Sequence, residues 1–280
     1  MKVALCLYGL VGGSSGKNGE GQSLDPSFAA NSYHKHLISQ NEHVDVFIHS
    51  WSHGHRDELA RLYNPVAAKI ERQCSFDEDS RKPKRVEGIR GYSSNLYNYI
   101  FNREFYKAQC VEYMEKTFRA KSRWLSNKKV LELKLEHEVE YDFKYDAVIV
   151  SRLDMCLYSN FIFNDYDMNY FYASIWNHLP HTGVDPIKCR GVNAYKGYAF
   201  YDMWFFSNSL FMDRFAKLYD CMHLYNVNPH RASWQHVERN IGREFVRYTK
   251  NRWYDYELVR VRELGQLTAD DLRQKKKLES

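Results

Sequence analysis

The sequence predicts an α/β domain with a central mixed, mostly parallel sheet flanked by helices. Three observations carry this. Residues 2–8, 44–49 and 147–151 are short, nearly uninterrupted apolar runs, as strands covered on both faces require. A helical pattern separates the first two runs, and strand, helix, strand at that spacing is a βαβ unit with parallel strands. The 280 residues show no internal repeat and no convincing linker, so one domain over 1–280 is the economical reading.

The elements follow in order. The first strand ends at Gly9, and 9–25 is a loop rich in glycine and serine. Pro26 opens a helix through Phe28, Ala29, Tyr33, Leu37 and Ile38, and 44–49 returns as the second strand. A short helix over 58–63 ends by Pro65, and 67–71 forms a third strand. The polar stretch 72–91, with Pro83, Gly88 and Gly91, reads as an irregular loop. Ser93 or Ser94 caps a long helix carrying Leu96, Ile100, Val111, Met114 and Phe118, and a second helix covers 126–140. After the strand at 147–151, strand-like runs occupy 170–174, 201–207 and 257–262. Helices cover 209–225 and 234–248.

Composition excludes several classes. The net charge is only +5, and the basic residues fall into separate groups: Arg81, Lys82, Lys84 and Arg85; 116–129; and 275–277. Nucleic-acid binders concentrate such charge on one face, so no nucleic-acid partner is expected. The six cysteines form no C-x-x-C pair, which argues against a zinc ribbon; they read as reduced thiols. No signal peptide and no apolar stretch of bilayer length is present, so a cytoplasmic protein without a membrane span is expected. The 22 Tyr, 16 Phe and 6 Trp suit either a bulky core or stacking surfaces for sugars and a base, and composition does not separate the two.

Ligands of open α/β sheets bind beyond the carboxyl ends of the strands, and three such ends stand out. The first is Gly9-Leu10-Val11-Gly12-Gly13 with the glycines and Lys17 that follow. Its glycines let backbone N–H groups approach an anion closely. It misses the P-loop signature, having Val11 and Asn18 where that motif needs glycine and Ser or Thr. The second is His49-Ser50-Trp51, either a satisfied structural histidine or one wall of a pocket for a base or ribose. The third is Ser151-Arg152-Leu153-Asp154. Asp154 offers the hard oxygen that Mg²⁺ or Mn²⁺ prefers, and Arg152 suits a phosphate; a structural Arg–Asp ion pair explains the pattern equally well.

Asp202 heads the apolar run 201–207. Burial of a carboxylate disfavours its charged form, a property a general base exploits; a strand-start aspartate that merely turns the chain is the commoner case. Glu238 and Asp185 are weaker candidates for the same role.

Taken together and in order, Gly9 to Gly13, Val44 to Trp51, Ser122-Arg123-Trp124-Leu125-Ser126, Ser151 to Asp154 and Asp202 to Ser209 resemble a family of glycosyltransferases found in phages, bacteria and large DNA viruses of algae. The resemblance covers roughly 2–225. It implies a GT-A, Rossmann-like fold, with 1–155 as the nucleotide-sugar half and 156–280 as the acceptor half. It implies a UDP-sugar donor, UDP-xylose, a Mn²⁺ or Mg²⁺ cofactor, and a fucose-bearing N-glycan of a viral capsid glycoprotein as acceptor. Gly9, Leu10, Gly12, Gly13, His49, Ser50, Arg123, Trp124, Ser126, Arg152 and Asp154 would then form the donor site. Asp154 would hold the metal and Asp202 would be the base. The sequence departs from the D-x-D metal motif of such enzymes, because Arg152 stands where the first acid belongs.

Other readings stay open. Gly12 to Lys17 leaves a P-loop-like kinase or sulfotransferase, and fold alone leaves a catalytically inactive interaction protein.

Overall fold

A computed structural model describes residues 1–13, 22–76, 88–175, 199–249 and 255–259. Asp185, Cys189 and the basic groups at 81–85 and 275–277 lie outside the described residues, as do 14–21 of the glycine loop.

The strands are β1 (Lys2–Gly9), β2 (His43–Ser50), β3 (Ala67–Ile70), β4 (Ala147–Arg152), β5 (Met155–Leu157), β6 (Phe171–Ile175), β7 (Phe200–Ser207), β8 (Val246–Tyr248) and β9 (Tyr256–Leu258). The helices are α1 (Ser27–His36), α2 (Arg56–Tyr63), α3 (Gly88–Phe101), α4 (Arg103–Glu140), α5 (Ser209–Ala216) and α6 (Pro229–Asn240). Seven strands form one sheet in the order β3-β2-β1-β4-β7-β6-β8, and β5 pairs with β9 alone. In the large sheet β7 is antiparallel to both neighbours and the other pairings are parallel.

Period-2 alternation sends side chains to two cores. Val3, Leu5 and Leu7 of β1 join Tyr33 of α1 and Leu59 of α2 on one face. Ala4, Cys6 and Tyr8 join Trp124 and Leu131 of α4, Phe215 of α5 and Trp234 of α6 on the other. The chain therefore leaves β1 over one face to reach β2 and arrives at β4 over the opposite face. The carboxyl ends of β1 and β4 flank the resulting crevice, where such sheets bind ligands.

Three expected elements differ. The expected break between two helices near 118–126 is absent, because 103–140 holds neither glycine nor proline. The break comes at Asn102 instead, with φ −140° and ψ 62°. Leu96, Ile100 and Val111, expected to face a core, are exposed. The helix expected over 234–248 starts earlier, at Pro229, where the Asn228 side chain accepts from the N–H groups of His230 and Arg231. It stops before Gly242, whose φ of 111° no helix accommodates, and its expected last turn is the strand β8. No disulfide joins the described cysteines.

Candidate functional site

A cavity of about 960 Å³ opens at the carboxyl ends of β1 and β4. Because β7 runs against β4, with Ser151 opposite Trp204, its amino-terminal residue Asp202 reaches the same edge as Arg152. The first half of α4 and the start of α6 complete the wall, contributing Arg123, Arg119 and Lys116 from one and His230 and Arg231 from the other. Among the described residues the lining carries five cationic side chains, Lys116, Arg119, Arg123, Arg152 and Arg231, against three carboxylates, Glu112, Asp154 and Asp202. A wall with surplus positive charge selects an anionic ligand.

Two glycines shape the near side. Gly9 and Gly12 have φ of 102° and 99°, conformations that L side chains rarely adopt. A Cβ on Gly12 would stand 2.9 Å from the Leu24 Cδ1 and would displace it, while the Asp154 Cβ at 3.5 Å is in ordinary contact range.

Gly9 is gripped at both ends of its residue. Its N–H donates to the Ser126 Oγ at 2.9 Å, and its carbonyl accepts from the Ser50 Oγ at 2.9 Å. Beneath it, the His49 Nδ1 meets the Ser126 Oγ at 2.7 Å, and the His49 Nε2 meets a Glu71 oxygen at 3.3 Å. The tautomer that satisfies all of these keeps the proton on Nε2, facing Glu71, and receives the serine proton at Nδ1. Lys129 pairs with the same Glu71 oxygen. Burial lowers the His49 pKa to about 4, against the raising effect of Glu71, so this histidine is neutral near pH 7.

His49, Ser50 and Ser126 are thus fully buried supports, not lining groups, which corrects the expectation that they touch the donor. Trp124 does not line the cavity either: it packs edge-on against Phe215 at 5.9 Å in the core. Gly13 bridges to Ser23 beside the cavity. Gly9, Leu10, Gly12, Arg123, Arg152, Asp154 and Asp202 do line it. Glu238 is exposed on α6, away from the cavity.

Two ion pairs line the cavity. Arg152 donates to Asp154 through Nε at 2.7 Å and Nη2 at 2.6 Å, a bidentate pair using both carboxylate oxygens. Asp202, only 2% exposed, pairs with Arg123 and meets the His230 Nδ1 at 3.0 Å. This donor set does not fit a divalent ion. A lone carboxylate whose two oxygens already accept from a guanidinium is a poor ligand for Mg²⁺ or Mn²⁺, which need several oxygens. Among the described residues no group of three or more His, Cys, Asp or Glu side chains converges. The expected metal role of Asp154 is therefore not supported by its surroundings.

Sequence reasoning missed His230, Tyr8 and Glu71. The signal for His230 was local: Asn228-Pro229 is a helix start, and a residue just inside it points out of the helix end. Tyr8 and Glu71 gave no signal, since each depends on pairing between distant strands.

No family model matches the chain, and no curated protein matches it. No described helix is long and apolar enough to cross a membrane.

Proposed function

We propose that the chain is a GT-A-type glycosyltransferase moving a sugar from a nucleotide diphosphate donor to a glycan hydroxyl. The observation that carries this reading is the cavity at the β1–β4 crossover: a cation-rich wall beside a gripped glycine backbone, with a buried carboxylate on the opposite side. The mixed sheet with helices on both faces supports the GT-A assignment. UDP-xylose as donor and the fucose-bearing N-glycan of a viral capsid glycoprotein as acceptor rest on the family resemblance. Trp51, which lines the cavity beside Gly9, is suited to flank a base.

In this reading the acceptor oxygen attacks the anomeric carbon as the bond from that carbon to the diphosphate oxygen breaks. The electron pair leaves on UDP, and the acceptor proton passes to Asp202. A UDP-α-xylose donor would give a β linkage by this single displacement. His230, held on one Asp202 oxygen, fixes the direction of the carboxylate.

The test is thermal stabilisation by a panel of nucleotides, since a ligand of the folded state raises the melting temperature by mass action. The largest rise is expected with UDP-xylose. A rise with ATP alone, lost in Lys17→Ala, would move the chain to the kinase class; no rise with any nucleotide would end the enzyme reading.

A further inference from the structure

We infer that the chain's own cations, led by Arg152 and Arg123, hold the donor diphosphate in place of a divalent ion. The inference rests on the nucleotide-sugar reading and asks what neutralises the leaving group within it.

Arg152 is positioned and partly unspent. A guanidinium carries five N–H donors, and Arg152 gives two of them to Asp154. The bidentate contact fixes the plane of the group, while Arg152 lines the cavity. Asp154 is thus a positioning residue that aims Arg152, and the sequence departure at the first acid of D-x-D acquires a purpose: the replaced carboxylate is itself the cation. Tyr8 is the register partner of Arg152 on the neighbouring strand, so both side chains leave the same face of the sheet. The Tyr8 hydroxyl is buried and, among the described residues, has no hydrogen-bond partner, although Tyr8 lines the cavity. A buried hydroxyl without a partner is costly unless a ligand supplies one.

The opposite wall repeats the theme. Lys116, Arg119 and Arg123 stand at i, i+3 and i+7 on α4, so they form one stripe along the helix, and all three line the cavity. Planar guanidinium groups match phosphate oxygens two at a time, and the five cations of the lining exceed its three carboxylates by two, the charge of one divalent ion. Arg123 also touches Asp202, so the cation that receives the diphosphate neighbours the base that receives the acceptor proton.

Calorimetric titration of the full chain with UDP tests this, first in EDTA and then with Mn²⁺, for wild type, Asp154→Asn and Arg152→Gln. We expect wild-type affinity in EDTA to equal that with Mn²⁺ within about threefold, Arg152→Gln to lose about tenfold or more, and Asp154→Asn to lose less than Arg152→Gln and by the same factor in EDTA as in Mn²⁺. UDP binding that appears only with Mn²⁺, or an Asp154→Asn loss confined to the Mn²⁺ titration, would overturn the inference and leave the nucleotide-sugar reading standing. Absence of UDP binding by wild type under both conditions would overturn both. Because the wild-type comparison needs no variant to fold, the inference is decided even if a substitution is not tolerated.

Discussion

Helix α4 carries two charged clusters built from the same residue types and put to opposite uses. Toward its carboxyl end, Lys134 is wholly buried and donates to Glu138 at 3.0 Å, to Ser209 at 2.8 Å and to Asp213 at 2.5 Å. An ammonium has three donors, so this one is saturated. Glu138 accepts in addition from the Tyr145 N–H at 2.9 Å and from Lys144 at 2.8 Å. None of these residues lines the cavity at the ends of β1 and β4. About three turns earlier, Arg123 pairs with Asp202 at the wall of the large cavity, which Arg152 and Asp154 also line. Closure separates the two clusters: the first satisfies itself and locks α4 to α5, while the second faces a space that an anion can enter.

The sharpest test exchanges the expected phenotypes. Asp202→Asn should lower sugar transfer by about 10²–10⁴-fold, the usual contribution of a general base, and cost less stability than Lys134→Met, because the Arg123 and His230 it leaves behind line the cavity. Turnover and urea unfolding on the same preparation read both. Lys134→Met should do the reverse. It breaks the buried Lys134–Glu138 pair and should cost about 3–5 kcal/mol in urea unfolding, with UDP affinity of the remaining folded protein unchanged. If the two variants lose stability equally, the clusters do not differ in kind.

Next in size is a pH effect from the floor beneath Gly9. Unfolded His49 takes up a proton near its ordinary pKa of 6.5, whereas folded His49 stays neutral down to about 4. Between those values the unfolded state binds more protons, so stability is full above pH 6.5 and falls as pH drops towards 4. The loss is about 3 kcal/mol when complete. Urea unfolding at pH 7.5, 6 and 4.5 should show this slope, and His49→Gln should flatten it. His236, whose pKa burial also lowers, contributes with the same sign and leaves a residual slope. The smallest effect belongs to Gly12→Ala, about 1–3 kcal/mol from forcing a side chain into a φ of 99°. It should be accompanied by weaker UDP binding, because Gly12 lines the cavity and its backbone would shift.

The buried strands were legible because burial on both faces writes itself as an unbroken apolar run. β1, β2 and β4 lie within a residue or two of the expected spans, and with them the strand ends that carry Gly9, Arg152 and Asp154. Strand direction was not legible. Nothing local in 200–207 shows that β7 runs antiparallel to β4, the fact that brings Asp202 to the cavity. Equally hidden was the depth of a side chain. His49 and Ser126 sit in motifs that suit ligand contact, yet both are covered by the residue they support. For Arg152 and Asp154 the sequence weighed ion pair and ligand set evenly, since spacing alone does not say whether a carboxylate faces its neighbour or the solvent.

Helix α4 runs unbroken for 38 residues, roughly 57 Å. Arg119 and Arg123 reach the cavity, Ser126 and Lys129 reach the floor, and Lys134 and Glu138 reach the core. Each residue added or removed between them would turn everything beyond it by about 100°. The lineage of this chain is therefore free to change letters on the solvent side of α4 but not its count. Homologues should align through 119–138 without a gap, while lengths vary outside it.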